Sequence, residues 1–283
     1  MHLYPDFADI CSMVKNTEHT FWGHLEVLRW VIVRCACVVT VLAIAIFCFK
    51  EQVFEGVVLS PCRPDFVTYR GLCLLAEVLD LPALCPQLNG VEMINIDLAA
   101  QLFVHIRVSF CLALLLAFPY LVAELWLFVS PALYERERKP ALKAVAAFVL
   151  LFYSGIALAY FVIFPLTLNF LGNYQVSTSV ANRISLDSYI STFLGLEFVF
   201  GLVFELPVVA YFFAKTGVLT SAFLSRYRKV AFVLVLVAAA MITPSTDIFT
   251  MFLVALPLQL LYEFSCRVVK RVEAKKAPAC GRP

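Results

Sequence analysis

Long apolar runs separated by short polar segments dominate this chain. A membrane-spanning helix needs about 20 predominantly apolar residues to cross a hydrocarbon core of about 30 Å. Four runs reach that length, at residues 30–49, 108–129, 144–164 and 192–214. The pattern therefore predicts four transmembrane helices of ordinary length.

Two further apolar runs, 230–242 and 249–261, are shorter and are separated only by residues 243–248. A helix of that length rises about 20 Å, which is less than the hydrocarbon thickness. These runs predict a helical hairpin that ends below the far membrane surface. We therefore expect an all-α integral membrane protein, a single membrane domain over residues 1–283 with six transmembrane helices of which the last two are short.

The composition supports a membrane protein and narrows the classes of partner. Apolar residues make up 62% of the chain and charged residues 15%, against about 45–50% and 25% in soluble domains. So much apolar surface excludes a soluble enzyme and a nucleic-acid-binding domain, and the lipid bilayer is the expected surrounding. The net charge of +2 is too small to indicate a polyanionic partner.

The distribution of basic residues predicts the orientation. Sixteen of the 22 Lys and Arg residues lie in segments that six spans place on the side of the two termini, and four lie in the opposite loops. The positive-inside rule therefore places both termini in the cytoplasm. The polar first 20 residues also lack the apolar centre of a secretory signal peptide.

In this orientation the segment 50–103 is the first extracytoplasmic loop, and its prolines and short apolar patches predict amphipathic helices that form a cap. Only Cys62, Cys73 and Cys85, of ten cysteines, share one polar stretch. A disulfide among them and three free thiols are equal alternatives. At the other end, 265–283 is predicted to be a basic cytoplasmic tail in solvent.

Two carboxylates interrupt the fourth apolar run. An ionisable side chain at the bilayer centre costs about 2.5 kcal/mol or more, so such residues usually have a function. Glu197 and Glu205 are eight residues apart, about 80° around a helix, and both can face one cavity. A substrate, proton or partner role is one interpretation, and hydrogen bonding of the carboxyls to helix backbone is the other.

Prolines 119, 165, 207 and 257 also predict kinked helices.

Other acidic residues flank the predicted spans on the cytoplasmic side. Glu26 precedes the first span and Glu137 follows the second, and carboxylates accept bidentate hydrogen bonds from the guanidinium groups of a cationic peptide. Glu124 lies about one turn from the cytoplasmic end of the second run, where an interfacial position makes a charge affordable. Arg34 lies inside the first run.

Motifs for several chemistries do not occur in the sequence. It contains no G-x-x-x-x-G-K-[ST] for nucleotides, no H-E-x-x-H for zinc and no G-x-S-x-G for hydrolysis. We therefore predict neither an enzyme nor a bound cofactor. Energy for any transport is expected from the transmembrane potential.

Four motifs follow one another along the chain. They are H-L-E-V-L-R at 24–29, F-V-S-P-A-L-Y-E-R-E-R at 128–138, F-G-L-V-F-E-L-P at 200–207, and I-T-P at 242–244 with Asp247, Pro257 and L-Y-E at 261–263. Together they resemble the TatC family, the multispanning subunit of the twin-arginine protein translocase, over residues 20–265.

The resemblance implies a core receptor subunit in the bacterial cytoplasmic (inner) membrane. It would bind twin-arginine signal peptides of folded precursors at its cytoplasmic face and assemble with single-span subunits of the TatA and TatB types. The complex would be a homo- and hetero-oligomer that exports proteins by the proton-motive force. The fold implied is a glove-shaped, kinked bundle.

The resemblance also implies roles for particular residues. By motif position Glu137 receives the guanidinium groups, with Glu26, Arg29, Tyr134 and Arg138 completing the signal-peptide site. A second, intramembrane polar group would meet the partner subunits and comprises Glu197, Glu205 and Pro207.

Two departures from the family pattern leave alternatives open. The family's amino-terminal glutamate corresponds to Val27, and Glu26 is rotated from it by about 100°. Either Glu26 reaches the peptide by another path or Glu137 supplies most of the charge. One extra residue precedes Asp247, whose role is therefore open. The functional alternative is a proton-coupled secondary transporter using Glu197 and Glu205, although no internal repeat is evident.

Overall fold

The computed structural model describes residues 21–78, 80, 85, 93–129, 135–174, 183–243 and 247–276, with the backbone alone for 21–24, 75, 129, 135–144 and 276. Nearly all of this part is helical. Five stretches of it are long and apolar enough to cross a membrane: Leu25–Cys48, Ala100–Phe128, Val145–Asn173, Leu186–Thr216 and Ile248–Lys275. The four long apolar runs lie within the first four stretches, to within one residue at their ends, as predicted.

The first half of the molecule contains two long helices with short elements between them. In chain order these are α1 (Phe21–Cys48), α2 (Lys50–Val53), a π-helical turn (Phe54–Val58), a 3-10 turn (Ser60–Cys62), α3 (Val67–Val78), strand β1 (Met93–Ile94) and α4 (Ala100–Val129). The segment between α1 and α4 thus contains the short helices that were predicted for the cap.

The second half contains the remaining spans. The third consists of α5 (Glu135–Leu158), a π-helical segment (Ala159–Ile163) and α6 (Phe164–Asn173). Strand β2 (Ile184–Ser185) pairs in parallel with β1, with Met93 opposite Ile184. The other helices are α7 (Leu186–Val203), α8 (Leu206–Thr216), α9 (Ser221–Arg226), α10 (Arg228–Ile242) and α11 (Ile248–Lys276).

Helices α1 and α4 run antiparallel, and contacts near both ends show it. Phe47, near the end of α1, stacks on His105, near the start of α4, with ring centroids 4.0 Å apart. Arg34 in α1 pairs with Glu124 near the end of α4. The start of α1 and the end of α4 therefore lie at the same end of the molecule.

The last helix is longer than predicted. The fifth predicted span, α10, is short as expected, at 15 residues, but α11 has 29 residues and rises about 44 Å. Residues 265–276, predicted to be a solvated tail, belong to this helix. The reason is a buried stripe at helical spacing, Leu261, Ser265 and Val269, which continues through the basic segment and packs against α8.

The largest core lies where α4, the third span, α7 and α11 meet. Phe164, Phe193 and Phe200 are buried there, and the rings of Phe164 and Phe193 pack edge to face at 5.1 Å. Helix α1 packs on α4 through a separate, smaller cluster that includes Ala113 and Ala117. This core fixes α7, which carries Glu197 and ends at the break that holds Glu205.

The cap is attached to the spans by tyrosine hydroxyls and closed by a disulfide. Tyr69 donates to the Pro165 carbonyl at 3.1 Å, Tyr160 to the Val57 carbonyl at 2.8 Å and Tyr189 to the Val58 carbonyl at 2.6 Å. Burial raises the pKa of the Tyr69 hydroxyl, a group that is already protonated at neutral pH at its ordinary value. Of the three candidate cysteines, Cys73 and Cys85 form the disulfide and Cys62 is a free thiol.

Two prolines leave helix carbonyls without their usual donors, and neighbouring side chains replace those donors. Proline removes the hydrogen bond to the carbonyl four residues earlier. For Pro119 that carbonyl belongs to Leu115, and Tyr153 on α5 donates to it at 3.2 Å. For Pro165 it belongs to Phe161, and the Thr68 hydroxyl from the cap donates to it. In hydrocarbon such replacement is what allows proline within a span.

Replacing Tyr153 with Phe should lower the free energy of unfolding by about 1–3 kcal/mol, because the Leu115 carbonyl loses its donor in an apolar surrounding. In a Pro119→Ala background the helix supplies its own N–H, and the same change should cost less. Thermal unfolding in detergent measures both effects. The control is Tyr211→Phe, whose hydroxyl makes no hydrogen bond within the described residues. Equal losses in both backgrounds would contradict this role of Tyr153.

Candidate functional site

The first group of predicted site residues lies at the start of α1. Glu26 and Arg29 are both exposed. The stripe of α1 that packs on α4 contains Val31, Val39 and Ile46. At 100° per residue Glu26 lies on the opposite face of α1 from the middle of this stripe. The Glu26 side chain is therefore attached on the face of α1 that is opposite α4.

The second group lies at the start of α5. Glu137 and Arg138 are on its first turn, where the structure describes the backbone alone, and Tyr134 lies outside the described residues. Helix α4 ends at Val129 and α5 begins at Glu135. Because α1 and α4 are antiparallel, Glu137 and Glu26 lie at the same end of the molecule.

An ion pair joins α1 to α4 within the spans. Arg34 Nη2 lies 2.9 Å from Glu124 Oε2, and the Tyr120 hydroxyl donates to Glu124 Oε1 at 2.7 Å. The Glu124 side chain is 8% exposed and that of Arg34 is 54% exposed. From its position in the sequence Glu124 was expected at the membrane interface, and no role was predicted for Arg34. An arginine inside an apolar run was the signal for a partner on another helix.

The two carboxylates of the fourth span are both buried. Glu197 lies on α7 among core aromatic residues, and Glu205 lies at the break between α7 and α8. Within the described residues, none of their four carboxylate oxygens has a hydrogen-bond partner. An unpartnered polar group in an apolar surrounding costs several kcal/mol, so these side chains need a physical explanation.

Glycines bring α5 and α7 unusually close beside Glu205. A Cβ at Gly155 would lie 2.5 Å from the Phe200 carbonyl oxygen, and one at Gly201 would lie 2.8 Å from the Phe152 ring. Pro207 is the second residue of α8, where a missing backbone N–H costs no helix hydrogen bond. The glycine and the proline of F-G-L-V-F-E-L-P thus shape the chain around the glutamate.

An apolar groove of about 530 Å³ opens beside this break. Phe204, the neighbour of Glu205, lines it together with Leu253, Pro257 and Leu260 of α11. Arg267 is the charged residue of its lining. The groove is therefore suited to an apolar helix rather than to a polar solute.

The last motif has local structural roles. Asp247 caps α11, because its carboxylate accepts hydrogen bonds from the Thr250 backbone N–H at 2.8 Å and the Thr250 hydroxyl at 2.6 Å. Tyr262 donates to the Leu224 carbonyl at 2.9 Å, and Glu263 pairs with Arg228. These contacts hold the segment between α8 and α10 against α11.

The described residues contain no group of three or more His, Cys, Asp and Glu side chains that could hold a metal ion. The predicted site residues supply carboxylates and guanidinium groups. Such groups bind other polar side chains and peptides.

Residues 23–257 match the family described as Sec-independent protein translocase protein (TatC). The chain is 30% identical over 264 residues to the Sec-independent protein translocase protein TatC of Blattabacterium sp. subsp. Periplaneta americana, covering 93% of this chain and 99% of the relative. It is 37% identical over 201 residues to that of Aquifex aeolicus, covering 71% and 82%. A crystal structure of a twin-arginine translocase receptor, TatC, superimposes with a TM-score of 0.65 at 31% identity, covering 88% and 99%.

Replacing Gly155 with Ala should lower the free energy of unfolding by about 1–3 kcal/mol, because the new methyl group meets backbone that cannot move aside. Gly195 on α7 provides the control, since a Cβ there meets nothing within 4 Å. Gly195→Ala should be neutral or stabilising by up to about 1 kcal/mol. Thermal unfolding compares the two, and similar melting temperatures would contradict the close approach of α5 and α7.

Proposed function

This chain belongs to the TatC family of Sec-independent protein translocase proteins, and we propose that it is the core receptor subunit of the twin-arginine translocase. The family makes it a multi-pass protein of the bacterial inner membrane and a translocase component, not an enzyme. In our proposal it binds twin-arginine signal peptides of folded precursors and assembles with single-span subunits of the TatA and TatB types. Export is then driven by the proton-motive force.

We propose a glove-shaped bundle of six membrane helices with both termini in the cytoplasm. The excess of basic residues on the side of the termini supports this orientation. The Cys73–Cys85 disulfide supports it independently, because disulfides persist in oxidising compartments and therefore favour a cap outside the cytoplasm. The short α10 would be the fifth span.

The observation that carries the proposal is the position of Glu26 and Glu137, from two separate motifs, at one end of the molecule. Carboxylates there can accept bidentate hydrogen bonds from a pair of arginines. Since Glu26 starts from the face of α1 away from α4, Glu137 supplies the principal carboxylate. Arg29, Tyr134 and Arg138 then surround the bound peptide.

Replacing Glu137 with Gln should weaken binding of a twin-arginine signal peptide about tenfold or more, since hydrogen bonds to charged groups contribute about 1.5–3 kcal/mol. Fluorescence anisotropy of a labelled peptide with the protein in nanodiscs measures this. A Lys-Lys peptide should bind weakly to both proteins, because lysine lacks the bidentate fork. Glu135→Gln is the control on the same helical turn. Wild-type affinity in Glu137→Gln would refute the assignment.

We propose that the groove beside Glu205 receives the membrane helix of a single-span partner. Its apolar walls suit a helix, and a polar side chain of that helix would supply the partner that the Glu205 carboxyl lacks. Pro207 shapes this region, and Glu197 lies about 12 Å further along the span. The transporter alternative would use the same two carboxylates, but membership of a translocase family weighs against it.

Glu205→Ala should reduce co-purification of the single-span subunits several-fold, because a buried polar pair would lose one member. Glu205→Gln should be milder, since an amide keeps hydrogen bonding. Leu202→Ala, an exposed position on the same span, is the control. Unchanged co-purification of the Ala variant would rule out this docking site. Solute uptake driven by a pH gradient into vesicles with this protein alone would favour the transporter.

A further inference from the structure

We propose that Arg34, Tyr120 and Glu124, called here the Arg34 cluster, form a positioning site that fixes the depth and rotation of α1 against α4. Through this contact the cluster would set the geometry of the signal-peptide site, so the inference rests on the proposed function. Its members touch no peptide in this proposal. They act through Glu26 and Arg29, which α1 carries.

The geometry of the cluster is directional. Both carboxylate oxygens of Glu124 are engaged, one by Arg34 at 2.9 Å and the other by Tyr120 at 2.7 Å. Tyr120 is one turn from Glu124 on α4, and its hydrogen bond orients the Glu124 carboxylate that pairs with Arg34. A charge-assisted hydrogen bond of this kind weakens steeply when its distance or angle changes. The cluster therefore favours one alignment of the two helices.

The other contacts of α1 favour an alignment far less strongly. Only 11% of the most apolar window of α1 is buried, the lowest share among the five candidate spans of the described residues. The facing surface of α4 includes the small side chains of Ala113 and Ala117. Since lipid is as apolar as leucine, moving one apolar surface along another changes little hydrophobic energy. Besides the stacking of Phe47 on His105 near the other end of α1, the Arg34–Glu124 ion pair is then the contact within the described residues that distinguishes neighbouring registers.

A change of register would reach the proposed peptide site directly. Glu26 lies eight residues before Arg34, about 12 Å along a rigid helix, and Glu124 lies five residues before the end of α4. Sliding α1 by one residue would shift Glu26 by about 1.5 Å, and turning it by one position would rotate Glu26 by about 100°. Glu137 would not follow, because it belongs to α5.

A purely stabilising role makes a different prediction. Replacing a buried ion pair with apolar residues of similar size often leaves stability unchanged, and the pair here is buried at its Glu124 end. Under our proposal, the Arg34→Leu/Glu124→Leu variant should fold and yet lose the alignment. Glu124→Gln should keep it, because the amide oxygen still accepts a hydrogen bond from Arg34. The matched control is Arg107→Leu/Asp187→Leu, which removes a 2.8 Å ion pair between α4 and α7 near the other end of the bundle.

The first measurement is the distance between spin labels at positions 27 and 139, attached through non-canonical amino acids so that the ten cysteines stay in place. Wild type, Glu124→Gln and the Arg107→Leu/Asp187→Leu control should each give a narrow distribution of the distance between the labels. The double-leucine variant should give a broadened or shifted one. If that variant does not fold, Arg34→Met/Glu124→Met, which also removes both polar groups, replaces it. A narrow, unshifted distribution in the folded double variant would overturn the proposal.

The second measurement is the affinity for a twin-arginine signal peptide. We expect a loss of about tenfold in the double-leucine variant, the size of a typical coupling between contacting residues, with a melting temperature near that of wild type. Full affinity despite an altered distance would also overturn the proposal. If wild type fails to distinguish Arg-Arg from Lys-Lys peptides, the proposed function is wrong, and the distance measurement still decides whether the cluster positions α1.

Discussion

Hydrocarbon offers no hydrogen-bond partners, so every polar group within a span must find one in the chain or in another molecule. Much of this fold follows from that constraint. The Leu115 carbonyl, freed by Pro119, accepts from Tyr153 across to α5, and the Phe161 carbonyl, freed by Pro165, accepts from Thr68 in the cap. Glu124 is satisfied by Arg34 and Tyr120. Apart from the Tyr120 bond, which lies within α4, each of these bonds joins separate elements, so the polar interruptions of the apolar runs also determine which helices are neighbours.

The same constraint singles out the groups that the described residues leave unsatisfied. Glu205 is 4% exposed, and its carboxyl oxygens make no hydrogen bond of normal geometry within the described residues, although the backbone of Phe152 on α5 lies close enough to interact with the carboxyl. It lies at a helix break beside a groove whose walls are apolar. Gly155 and Gly201 bring α5 and α7 close together, and the groove toward α11, which the neighbouring Phe204 lines, is open. One membrane helix with a polar side chain could both hydrogen-bond to the carboxyl and fill the groove.

Hydrophobic length sufficed to locate the four long spans, because a run of 20 apolar residues has few alternatives. Hydrophobic length did not predict the end of α11, because the charged residues of 267–276 interrupt the apolar run. The buried stripe that ends at Val269 is recognised only from its packing against α8. The sequence left Cys73–Cys85 as one of several pairings, since connectivity depends on how the cap folds. It assigned no role to Arg34, because a pair 90 residues apart in sequence becomes visible only when α1 and α4 are adjacent. The role of Asp247 was open for a simpler reason, as a motif position does not distinguish a helix cap from a binding group.

We propose above all that a polar side chain of another membrane helix supplies the hydrogen-bond partner of the Glu205 carboxyl. Infrared difference spectroscopy tests it most directly. The carboxyl stretching band of Glu205 is isolated by subtracting the spectrum of Glu205→Gln, first for the protein alone and then with the single-span subunit added. The account predicts a band typical of a carboxyl without a hydrogen bond that moves to lower frequency on assembly. A band that stays in place when the complex forms would contradict it.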